Sequence, residues 1–181
     1  MAAPAHVIPF SVTDLKVATL TGETPGTLTD LPGIRKLTLK FASESQELRG
    51  DNTVIAAVNN GLTCEWELEE GGLDIPSLKI ITGLTDTQTG TTPAIKTRID
   101  VKGDHVYPYF YLCGMTTTAD GVGSFEIHIP RAKITGDLSL ELNDGEFMTP
   151  TLSGQGVARA SDKLLAALQA QETAAAMVAI S

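Results

Sequence analysis

Alternation of apolar and polar residues with a period of two constrains this chain more than any other feature. In residues 62–73, Cys64, Trp66 and Leu68 alternate with Glu65, Glu67 and Glu69. Successive side chains of a strand point to opposite faces, so the spacing predicts a strand with three glutamates in one row. The same period recurs four times. Leu37, Leu39 and Phe41 oppose Lys36, Thr38 and Lys40; Thr97, Ile99 and Val101 oppose Lys96, Arg98 and Asp100. Phe125, Ile127 and Ile129 oppose Glu126 and His128; Leu138, Leu140 and Leu142 oppose Ser139 and Glu141. Each predicts a half-buried strand with one wet face. Turn residues such as Gly71-Gly72, Gly103-Asp104, Asp120-Gly121 and Asn143-Asp144-Gly145 separate them. The pattern predicts a mainly β protein, an antiparallel β-sandwich or barrel.

Two helices are expected. Residues 74–83 carry Pro76 in a first turn and Gly83 after the end. Residues 161–181 are expected as a C-terminal helix, with Ser161 as N-cap, Asp162 favourable to the dipole, and Leu164, Leu165 and Leu168 as an apolar stripe. The stripe is expected to pack on the chain's own sandwich. The length of 181 residues suits one domain, residues 1–181. Residues 1–33 are expected as a partly flexible N-terminal arm, because 21–33 are rich in Gly, Pro and Thr; residues 85–92 have little to bury.

The net charge of −9 argues against tight non-specific nucleic-acid binding. Most of it lies between residues 44 and 86, where nine acids face two bases, Arg49 and Lys79. Cys64 and Cys113 sit in apolar runs and read as buried free thiols rather than a disulfide framework. The first ten residues lack the basic and apolar regions of a signal peptide, and no run approaches the roughly 20 apolar residues of a spanning helix. A soluble protein used without export machinery is the expectation.

Catalytic patterns are sparse. Glu65 and Glu67 would stand about 6.5–7 Å apart on one strand face, a separation glycosidases use. Their neighbours are further acids, however, and not the apolar pocket that raises one carboxyl's pKa. His6, His105 and His128 share no metal-ligand spacing, and no G-x-S-x-G elbow occurs. Residues 154–159 hold a partial dinucleotide fingerprint in the wrong context, and Arg49-Gly50-Asp51 reads as a turn. The expectation is a non-enzyme without cofactors that works by binding or assembling.

Residues 44–83 resemble the tail tube proteins of long-tailed bacteriophages. The likeness rests on an acidic Glu-Leu before Gly50-Asp51-Asn52, then Ile55-Ala56, the alternating acidic strand, the Gly71-Gly72-Leu73 turn and a short helix ending in Ile81-Thr82-Gly83. Residues 109–115, 125–147 and 149–159 are compatible, so the likeness covers about 36–160. Many relatives add an immunoglobulin-like domain where this chain has its expected C-terminal helix. The resemblance implies a virion protein, assembled in the host cytoplasm. Hexameric rings of this subunit would stack into a hollow tube around a tape-measure protein, capped by tail-tip and terminator proteins. Double-stranded DNA would pass through without specific binding, and no membrane would be involved. On this basis Glu65, Glu67 and Glu69 are expected to line the lumen of an acidic conduit. Glu47, Arg49, Asp51, Asn52, Thr85 and Asp86, within 43–60 and 84–93, are candidates for contacts between subunits or rings. The alternatives are another β-sandwich structural protein of a phage (baseplate or decoration) and, more remotely, a carbohydrate-binding sandwich.

Overall fold

The structure is a computed structural model that describes residues 8–51 and 53–180, apart from the side chains of 44, 50 and 60. His6 and Asn52, both singled out above, lie outside the described residues. The strands are β1 (Pro9–Thr21), β2 (Thr24–Pro25), β3 (Thr29–Asp30), β4 (Ile34–Gly50) and β5 (Thr53–Glu70), followed by helix α1 (Ile75–Thr82). Then come β6 (Asp86–Thr89), β7 (Lys96–Ile99), β8 (Phe110–Thr118), β9 (Ser124–Ser139), β10 (Thr151–Gly156) and β11 (Ala167–Gln171).

The chain is mainly β and its pairings are antiparallel. One sheet runs in the order β2-β1-β8-β9-β10-β5-β4, with β11 added to β9 and β3 to β1; β6 and β7 form a separate hairpin. Long β9 belongs to both halves of the sheet. Its first part pairs with β8 on one side and β11 on the other, and its last part pairs with β10. The two halves close over one core, since Leu15, Val17, Phe110, Leu112 and Ile129 pack with Cys64, Trp66, Leu68, Ile134 and Leu152. Trp66 meets Phe110 edge-on at 5.7 Å between centroids. Each fully buried aliphatic side chain here contributes on the order of 1.5–3 kcal/mol.

Helix α1 forms where its caps predict. The Asp74 carboxylate accepts from the Ser77 N–H at 2.9 Å, Pro76 occupies the first turn, and Gly83 ends it at φ 71. Ile81 carries the helix onto the core.

Several expectations are corrected. Of the expected helix over 161–181, the described residues 161–180 are not helical: Ala167–Gln171 is β11, laid along β9. Lys163 turns left-handed at φ 62, Arg159 clamps Asp162, and the N–H groups of Ala160 and Ser161 donate to the Glu23 carboxylate. This tight turn stops a helix at its start, and the open edge of β9 supplies the alternative pairing. Of the expected stripe, Leu165 packs against the core, Leu164 is half-buried and Leu168 is exposed.

Residues 8–33 are no loose arm. β1 lies within the sheet, Leu31 is buried, and its N–H donates to the Leu15 carbonyl at 2.8 Å. Residues 137–143 are not a separate strand: β9 runs through to Ser139, and Leu140 and Leu142 are exposed. Among the described residues β7 pairs with β6 alone, Thr97 on it is exposed, and Val101 lies beyond its end and is exposed too. On β9 the predicted wet side chains Glu126 and His128 are buried, at 2 % and 0 % exposure, while Phe125 and Ile127 are half-buried. The cover over that face comes from residues after 166, which period-two alternation within β9 cannot reveal.

Candidate functional site

Strand β5 divides its side chains as period two dictates. Cys64, Trp66, Leu68 and Glu70 are buried, and Glu65, Glu67 and Glu69 stand on the opposite face. Register then fixes their neighbours. On β4, Lys40 lies across from Glu65, Thr38 from Glu67 and Lys36 from Glu69. On β10, Gln155, Ser153 and Thr151 hold the same three rows. Lys133 of β9 continues the Gln155 row.

The carboxylates are therefore not a bare acidic strip. Lys40 Nζ lies 3.4 Å from Glu65 Oε2, Lys36 Nζ 2.9 Å from Glu67 Oε1, and Arg35 Nε 3.4 Å from Glu69 Oε1. Glu67 holds the Lys36 ammonium above its ordinary pKa, through its hydrogen bond first and its charge second. Three cations facing three carboxylates make a balanced polar surface. The lysines were visible in the alternation of residues 36–41, but their partners depend on a hairpin register that the sequence does not state.

Between these rows the face dips into a shallow depression of roughly 370 Å³, over Thr38, Glu65, Glu67, Ser153 and Gln155. Gly136 keeps it open, because a Cβ there would meet Ser153 Oγ. Glu65 and Glu67 side chains are 49 % and 46 % exposed and each has a lysine partner. A glycosidase pair needs one carboxyl desolvated in an apolar pocket, and this surface supplies hydrated charge instead.

The same two strands also project. Beyond Phe41 and Cys64, residues 43–62 continue as a hairpin whose described side chains are exposed on both faces. Leu48, Val54, Ile55, Val58 and Leu62 are among them. Asp51 turns the tip at φ 50. Glu47 and Arg49 pair on this arm at 2.7 Å, so Glu47, Arg49 and Asp51 of the predicted contact set share one element. Thr85 and Asp86 belong elsewhere, at the junction of α1 and β6; Thr85 is exposed, and Asp86 is engaged by Lys79. That partner's hydrogen bond holds the Asp86 carboxyl below its usual range.

β4 ends the sheet, and its outer edge pairs with no strand among the described residues. An open edge and an apolar arm are both association features. Among the described residues no helix is long and apolar enough to cross a membrane, and no three His, Cys, Asp or Glu side chains form a metal-sized group. No protein-family model matches the chain, and no curated protein matches it either.

Proposed function

We propose that this chain is a structural subunit that joins copies of itself into hexameric rings stacked as the hollow tail tube of a long-tailed bacteriophage. The observation that carries the reading is the projecting hairpin of residues 43–62. Eighteen-residue β5 spends its second half in the core and its first half reaching away from it. A single chain gains nothing by exposing Leu48, Val54, Ile55 and Val58 on such an arm; a neighbouring copy can bury them.

The carboxylate face supports the tube reading in a modified form. With Glu65, Glu67 and Glu69 turned to the bore, each beside a lysine or arginine, the wall carries little net charge. DNA binds strongly where unpaired cations release its counterions, and cations already held by carboxylates offer little of that. What charge remains is screened within about 8 Å at physiological salt. The wall is non-stick and does not drive the DNA. Tape-measure, tail-tip and terminator proteins are the partners this role entails, and the virion tail is its place.

Negative-stain microscopy and sedimentation of the concentrated protein test the reading. Rings or tubes of constant diameter, with no turnover of glycans or other substrates, are expected. A protein that stays monomeric at every concentration and with every nucleating partner would defeat it.

A further inference from the structure

Register gives the sheet two unlike ends. At one, Phe41, Cys64, Gly156 and Ala132 stand in a single row across β4, β5, β10 and β9. At the other, Leu37, Leu68, Leu152 and Leu138 do the same. From Leu152 to Gly156 the rise along β10 is about 13 Å. The projecting arm leaves beyond the first row, and the loop from β9 to β10 lies beyond the second.

The first end carries a cationic cluster. Arg131 and Lys133 flank Ala132 on β9, so both point to the face of Gln155 and Glu65. Arg131 Cζ lies 4.0 Å and Lys133 Nζ 5.1 Å from the centroid of the Tyr109 ring. The ring's π system attracts each cation, but the two repel each other. All three residues are half-buried.

The second end carries the opposite chemistry. Residues 137–147 hold Asp137, Glu141, Asp144 and Glu146 and no base. Gly145 turns the loop at φ 76, and Asn143 Nδ2 donates to Glu146 Oε2 at 3.2 Å. Leu142 and Phe147 stand in solvent at 87 % and 95 % exposure. Among the described residues no ion pair engages either cation of the cluster or any of the four acids.

We propose that the acidic loop of residues 140–147 in one copy docks on the Tyr109–Arg131–Lys133 cluster of the next, at the opposite end of its sheet. The inference rests on the self-assembly proposed above and names a contact that joins the copies. A carboxylate set between Arg131 and Lys133 relieves their mutual repulsion. It also neutralises two cations on a face where Arg35, Lys36 and Lys40 are already paired. Leu142 and Phe147 gain cover that no described part of their own chain gives. Cluster and loop are unlike surfaces, so the contact runs head to tail and repeats from copy to copy. The arm leaves the sheet at the cluster's end, so one docking brings both toward the same neighbour.

Charge reversal tests the contact, read by sedimentation velocity and negative-stain microscopy. The loop variant is Glu141→Lys with Asp144→Lys; the cluster variant is Arg131→Glu with Lys133→Glu. Each alone is expected to raise the concentration needed for assembly about tenfold or more. An equimolar mixture is expected to restore assembly, because each variant then meets a complementary partner at both ends. A loop variant that assembles at the natural chain's concentration, or a mixture no better than its components, overturns the proposal. Should urea unfolding show that the cluster variant is not folded, Lys133→Glu alone takes its place in the mixture. Tubes that form regardless of the reversals refute this contact and leave the tube reading intact. Linear oligomers that obey the reversals but never close into rings uphold the contact and refute the tube. A natural chain that is monomeric throughout overturns both.

Discussion

Glu70 closes the alternation of β5 and points the other way from its three acidic neighbours, into the protein at 4 % exposure. Burial first, and the Asp74 charge second, push its carboxyl up to about 7 from an ordinary 4.5. Between those values the folded chain binds more protons than the unfolded one, so stability falls as pH rises through the window, and the full cost is present above it. Glu70→Gln is therefore expected to gain up to about 3 kcal/mol at about pH 8 and little at about pH 4, read from urea unfolding at both. An unchanged pH slope would show that Glu70 is hydrated. Gly154 makes the opposite kind of demand. A Cβ there would meet the Lys133 carbonyl and come within 2.5 Å of the Trp66 ring. Gly154→Ala is expected to cost about 1–3 kcal/mol, measurable as a lowered urea midpoint. At this scale the sequence was legible where one strand sets its own two faces, as in β5. It misled at Glu126 and His128, because the C-terminal segment that covers them, with Gln171 bonded to Glu126, lies 45 residues further along the chain.

The β4–β5 hairpin extends well beyond what the core uses. Replacing residues 44–61 with a short turn is expected to leave unfolding stability within about 0.5 kcal/mol, since the described side chains there bury little, and, on the proposed function, to abolish tube formation. Loss of the fold would mean that the arm is part of the core. Helix α1 was readable because its signals are local: Pro76 and Gly83 bracket it, and the structure adds Asp74 as its N-cap. The C-terminal segment was not. Its leucines and alanines favour a helix intrinsically, yet Lys163 turns left-handed and five residues from Ala167 to Gln171 pair with β9 instead. Tertiary pairing overrode propensity there. The Lys36, Lys40 and Arg35 partners were hidden for a related reason, since hairpin register is a property of two strands together.

The described residues form a folded body of two sheet halves with a balanced charged face, an open edge at β4 and a projecting arm. A body with an open edge and a remote arm offers two distinct surfaces for copies of itself. Contacts between unlike surfaces close into rings or run on into filaments, according to the rotation between neighbours. A reconstruction of filaments grown from the purified chain measures this directly, because it locates both the arm and the glutamate row. Six subunits per ring, with residues 43–62 seated on an adjacent copy and Glu65, Glu67 and Glu69 on the wall of the bore, is the predicted result. Filaments with those three carboxylates on their outer surface, or an arm that touches no neighbour, would contradict it.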